Sequence, residues 1–74
     1  MKNNNPELAI KVGSRIRHFR NLKNISQEGL AEKSGLHRTY IGSCERGERN
    51  ITILNLSILC DSLDITLKIF FENF

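Results

Sequence analysis

The sequence predicts a small all-α domain of five short helices, and three observations carry that expectation. Apolar residues recur at helical spacing in each segment. Residues that start or stop helices stand between those segments. At 74 residues the chain has room for one domain.

The first helix begins at Asn5-Pro6-Glu7, which reads as an N-cap, a first-turn proline and a first-turn acid. Leu8, Val12, Ile16 and Phe19 then form one inward stripe, and Lys23-Asn24 ends the helix with Asn in a left-handed conformation. Ser26 caps a second helix with Leu30 and Ala31 inward. It ends near Ser34-Gly35, and Gly29 weakens it. A third helix runs from about His37 to Arg46, with Ile41 and Cys44 inward and Gly47 as its stop; His37 is an imperfect N-cap. Thr52 caps a fourth, carrying Ile53, Leu56, Leu59, Cys60 and Leu63 inward, and Asp64 ends it. Thr66 caps a last turn or two, although the β-rich composition of residues 65–71 leaves an edge strand open. Residues 1–5 are expected to fray, and residues 1–74 to form one domain.

Composition excludes several functions. The longest near-apolar run, residues 51–60, is interrupted by Thr52, Asn55 and Ser57 and falls short of the roughly 20 residues of a membrane helix. The first ten residues have no apolar core, so no signal peptide is expected and the cytoplasm is the expected location. Cys44 and Cys60 fit neither a disulfide framework nor a metal spacing, and read as small core residues. Two histidines and two inward cysteines assemble no catalytic set, so no enzyme, catalytic residue, metal, cofactor or small-molecule ligand is expected.

Charge is uneven along the chain. Residues 11–50 hold nine Lys/Arg against four acids, whereas residues 51–74 hold one lysine against three acids. A basic front and an apolar, faintly acidic rear fit a polyanion at one end.

Residues 26–45 read S-Q-E-G-L-A-E-K-S-G-L-H-R-T-Y-I-G-S-C-E. Two short helices joined by a tight glycine turn make a helix-turn-helix, whose second helix enters the DNA major groove. Ala31 is small where the two helices cross, Gly35 supplies the turn, and Leu36, Ile41 and Cys44 face inward. The run I-R-H-F-R at residues 16–20, then S-Q-x-x-L-A, G-L and I-x-x-x-E, resembles the Cro and phage-repressor type of helix-turn-helix protein, and so implies a compact lambda-repressor-like fold. Residues 36–50, L-H-R-T-Y-I-G-x-x-E-R-G-E-R-N, are similar to the controller proteins of restriction–modification systems. Gly29 and Gly42 depart from the family, which usually has polar side chains there.

The resemblance implies that Arg38, Thr39, Tyr40 and Ser43 read base edges. An arginine can place two donors on guanine O6 and N7. It also places Gln27, Arg17, Arg46, Arg49 and Asn50 against the sugar–phosphate backbone, and pairs Arg20 with Glu45 as a structural brace. Surplus apolar residues at the rear, Ile51, Leu54, Ile58, Phe70 and Phe71, fit a twofold dimer interface within residues 51–74. The expected function is therefore a homodimeric regulator that binds palindromic double-stranded operators, the autoregulating controller of a restriction–modification operon. Activation calls for a contact with RNA polymerase, to which no residue is assigned. A phage-type repressor or an antitoxin would present the same DNA face. A helical adaptor that binds protein and not DNA is a third reading.

Overall fold

The computed structural model describes residues 5–74, so the expected fraying of residues 1–4 lies outside the described part, while Asn5, expected to fray with them, is held in place as the cap of the first helix. Five helices follow in order: α1 (Pro6–Leu22), α2 (Gln27–Ser34), α3 (Arg38–Glu45), α4 (Ile53–Ser62) and α5 (Leu67–Phe70). Every regular element among the described residues is a helix. None is long and apolar enough to cross a membrane.

Each helix starts on a side chain that accepts one of the otherwise unpaired first-turn N–H groups, an interaction worth about 1 kcal/mol. Asn5 accepts from the N–H of Leu8 at 3.1 Å, Ser26 from Gly29 at 2.9 Å, Thr52 from Asn55 at 3.0 Å and Thr66 from Ile69 at 3.0 Å. His37 caps α3 with its ring, Nδ1 accepting from the N–H of Thr39 at 3.1 Å. The Thr66 cap resolves the ambiguity of residues 65–71, which hold the short helix α5 and no edge strand. Left-handed residues separate the helices where the sequence placed stops: Asn24 (φ 55°), Gly35 (φ 76°), Gly47 (φ 77°) and Asp64 (φ 60°).

The core is one cluster built from every helix: Val12, Ile16, Leu30, Ile41, Cys44, Leu56, Leu59, Cys60, Leu63 and Phe70. Leu8 departs from its expected place. It is 46% exposed, because the buried stretch of α1 lies one turn and more further along, at Val12, Gly13 and Ile16. Gly13 lets α1 cross the C-terminal end of α3 with backbone against helix. A Cβ there would collide with the carbonyl oxygens of Cys44 and Glu45. The sequence reading gave Gly13 no role.

The end of the chain folds back on α1. Arg15 donates from Nη1 to the carbonyl oxygens of Phe70 (3.2 Å) and Glu72 (3.0 Å). Lys11 and Arg15 stand 4.8 and 5.3 Å from the centre of the Phe74 ring, within cation–π range. This arrangement draws Phe70 inside, where its ring lies 6.0 Å from that of Phe19.

Candidate nucleic-acid interface

The α2–turn–α3 unit is positioned from below. Leu30, Ile41 and Cys44 anchor both helices in the core, which turns Arg38 and Thr39, in the first turn of α3, toward solvent. Gly35 makes the turn in a conformation that a side chain would strain, and its N–H closes α2 on the carbonyl of Ala31 at 2.9 Å. Between the start of α2 and the face of α3 lies an open cleft of about 480 Å³, lined by Arg20, Ser26, Gln27, Glu28, Arg38, Thr39, Gly42 and Arg46. Its rim carries both signs of charge.

Beneath the cleft is the Glu45 carboxylate, whose side chain has no exposed surface. Arg20 grips it with two bonds, Nε to Oε2 at 2.6 Å and Nη2 to Oε1 at 2.9 Å. Gln27 Nε2 donates to Oε1 at 3.0 Å, and Arg17 Nε to the same oxygen at a looser 3.4 Å. Burial pushes the Glu45 carboxyl up. The hydrogen bonds from Arg20 and Gln27, the charge of Arg20 and the bond from Arg17 outweigh it, and hold the group below the ordinary glutamate range. The Glu45 hydrogen bond likewise raises Arg20. Gln27 reaches this oxygen past Gly42: a Cβ at Gly42 would stand 3.3 Å from Gln27 Oε1 and 3.3 Å from Arg46 Nη1. The missing side chain at position 42 leaves that path open.

Two further arginines are paired at the surface. Arg38 Nη1 donates to Glu28 Oε1 at 2.7 Å, across the turn from α3 to α2. Arg46 donates to Glu48 through Nε at 2.9 Å and Nη2 at 3.2 Å. Arg49 lies over the Tyr40 ring, 5.6 Å from its centre, and donates from Nε to Ser43 Oγ at 3.2 Å.

The helix-turn-helix family model matches residues 16–70. The chain belongs to the helix-turn-helix family. Control protein C.SmaI of Serratia marcescens is 57% identical over 53 residues, which cover 72% of this chain and 63% of that protein. Control protein C.MunI of a Mycoplasma species is 35% identical over 68 residues, 90% of this chain and 92% of that protein. Among solved structures, the restriction–modification controller protein C.Esp1396I, as a tetramer in complex with its natural 35-base-pair operator, superposes with a TM-score of 0.85 at 42% identity, covering 90% of this chain and 88% of that one. The C.Esp1396I structure shares this chain's overall architecture.

The residues singled out in the sequence fall into three groups. Arg38 and Thr39 are exposed together on α3; Arg17, Arg46, Arg49 and Asn50 are exposed as well, and Gln27 is half-buried. Arg20 and Glu45 pair as the resemblance implies. Tyr40 is half-buried against the core, and its hydroxyl accepts a bond from Asn55 Nδ2 at 3.0 Å. Desolvation raises its phenol above the ordinary range.

Three expectations are corrected. Ser43 is not on the outer face with Arg38: it is 6% exposed, donates its hydroxyl to the carbonyl of Tyr40 at 2.8 Å and accepts from Arg49. An eight-residue helix sunk into the core from Ile41 onward has no outer face at position 43. Phe70 is not a surface residue of the rear; it is fully enclosed in the core. Of the other rear residues, Leu54 (75%), Ile58 (38%) and Phe71 (37%) are exposed, whereas Ile51 packs half-buried on the core. Ile53, expected inward on the fourth helix, is instead 58% exposed, and Ile69 is exposed too.

Sequence reasoning gave Glu28 no place in the site. Its partner Arg38 stands ten positions away across the turn, where no helical period signals the contact. The cysteines are both buried, unpaired thiols, and burial, with a lesser push from Asp61, raises Cys60 to about 11.

Proposed function

We propose that this chain binds double-stranded DNA through α3, as a homodimer on a palindromic operator, and acts as the autoregulating controller of a restriction–modification operon. The observation that carries the reading is the joint exposure of Arg38 and Thr39 on a helix-turn-helix whose structural neighbour C.Esp1396I was solved on its own operator. Arg38 reads a guanine edge and Thr39 offers a hydroxyl or a methyl beside it. Gln27 and Arg46, which line the cleft, meet the sugar–phosphate backbone together with the exposed Arg17, Arg49 and Asn50, and so fix the register of α3 in the groove.

The apolar rear supports the dimer. Leu54 and Ile58 lie one helical turn apart on α4, Ile53, Ile69 and Phe71 are exposed as well, and a twofold contact through Leu54 and Ile58 removes their surface from water. Two copies of α3 about 34–36 Å apart then enter successive major grooves on one side of the duplex. Naming of both curated relatives as control proteins favours the controller role over a phage repressor or an antitoxin. Binding upstream of its own gene would place the protein in the cytoplasm, and occlusion alone suffices for repression. A contact with RNA polymerase belongs to the activating half of the proposal.

Footprinting of the DNA upstream of the chain's own gene tests the role. The expected result is protection of an inverted repeat, with a steep dependence on protein concentration. Protection confined to unrelated DNA, or none, removes the autoregulatory reading.

A further inference from the structure

We propose that Glu28 is a built-in counter-charge for Arg38, one that keeps this guanidinium off DNA phosphates and releases it only to a base edge. The inference rests on the reading of the α2–α3 face as a DNA surface and assigns that face a specificity-determining residue. Arg38 and Glu28 meet at 2.7 Å, yet their side chains are 60% and 70% exposed. A pair so open to water is held weakly and exchanges readily. The planar fork of arginine suits a carboxylate, a phosphate and the O6/N7 edge of guanine alike, so the carboxylate occupies the place a DNA acceptor would take.

The two DNA acceptors differ in what they meet. Both Glu28 and Arg38 line the cleft, so a phosphate approaching Arg38 also approaches the Glu28 carboxylate and is repelled by it. On a duplex without the right base, Arg38 keeps its internal partner, and DNA meets a neutral pair where a cation would otherwise stand. A guanine edge is uncharged and offers two acceptors, so it can take the guanidinium without bringing an anion against Glu28. The carboxylate left behind sits in the first turn of α2, where the helix dipole favours negative charge. Glu28 thus weakens binding to random DNA more than binding to the operator, and the ratio of the two rises.

Arg46 and Glu48 provide the contrast. They form a second exposed pair at the end of α3, joined by two hydrogen bonds, but in the proposed function Arg46 meets the backbone and reads no base. Removing the Glu48 charge frees a phosphate contact on every duplex, and so changes affinity without changing preference.

The test is the salt dependence of binding to the selected operator and to a random duplex, for the full chain and for Glu28→Gln, Arg38→Ala and the two combined. Circular dichroism first establishes that each variant is folded. The expected result for Glu28→Gln is a slope of log K against log salt on random DNA that steepens by about 0.9 for each Arg38 released, with little change on the operator. Preference for the operator falls accordingly, most at low salt. In the Arg38→Ala background the Glu28→Gln change adds no steepening. An unaltered slope on random DNA overturns the proposal, as does an equal steepening on both duplexes. If the unmodified chain binds neither duplex, the DNA-binding reading itself fails; if it prefers its operator and Glu28→Gln preserves that preference, the counter-charge alone fails.

Discussion

Replacing Glu45 by alanine removes the acceptor shared by Arg20, Gln27 and Arg17, and the structure sets the scale of the loss. The carboxylate is wholly enclosed and Arg20 is 13% exposed, so the arginine is left with the carbonyl of Ile25 at 3.0 Å and no counter-ion. Breaking one side of a buried pair costs about 3–5 kcal/mol, against about 0–1 kcal/mol for an exposed one. A domain of 74 residues carries a total stability of about 4–11 kcal/mol. Glu45→Ala therefore removes about a quarter of it or more, and lowers the melting temperature by more than about 12 °C. Urea denaturation at fixed protein concentration measures the change. The companion variant Arg20→Met with Glu45→Leu replaces both charges by apolar groups and recovers most of the loss. A cost below about 1 kcal/mol for Glu45→Ala alone would refute the assignment of this pair as the brace between α1 and α3.

The same carboxylate gives a pH signature. Its folded value lies below the ordinary 4.5, because the donors around it outweigh the burial. Its contribution is therefore complete above about pH 4.5 and is lost as pH falls through the lower folded value. Between pH 7 and 5 the unmodified chain and the Arg20→Met, Glu45→Leu variant should show a constant difference in stability. Below pH 4.5 the unmodified chain should lose stability faster; parallel curves down to pH 3 would contradict the depressed value.

Three further outcomes follow from particular contacts. Gly13→Ala should destabilise by about 1–3 kcal/mol, although alanine in place of glycine inside a helix ordinarily gains about 1 kcal/mol, because the new methyl meets the Cys44 and Glu45 carbonyls; a rise in the urea midpoint would mean that α1 stands further from α3. Leu54→Glu with Ile58→Glu should leave folded monomers in sedimentation velocity, and an unchanged oligomer would remove the rear patch as the dimer contact. Arg38→Ala, made together with Glu28→Gln so that no lone carboxylate faces the duplex, should cost about 1–3 kcal/mol per half-site on the operator and little on random DNA. Equal losses on both duplexes would make Arg38 a phosphate contact.

Helix boundaries were legible because they are set locally. Ser26, Thr52 and Thr66 cap through bonds three residues long, and Asn24, Gly35 and Asp64 turn the chain by their own backbone angles. The brace between Arg20 and Glu45 was legible through the resemblance alone, since 25 positions separate the partners. Contacts between distant segments were not legible. Gly13 looks like a weak point of α1 until α3 is laid across it. Phe70 and Phe71 are neighbours of identical chemistry, and only the fold-back held by Arg15 sends one to the core and leaves the other exposed. Ser43 follows the helical period of Thr39, but α3 is too deeply set for that period to mark an outer face. Glu28 was hidden for the same reason, as a charge whose partner arrives from across a turn.

Selection from random duplex DNA by the purified chain, at a stated salt concentration and with the enriched pool sequenced, tests the central claim most directly. A dimer that reads the major groove predicts an inverted repeat, with half-site centres about one helical turn apart and a guanine in each half-site whose enrichment disappears with Arg38→Ala. No enrichment, at salt low enough for nonspecific binding to be visible, would contradict the account and point to a protein partner for the same helices.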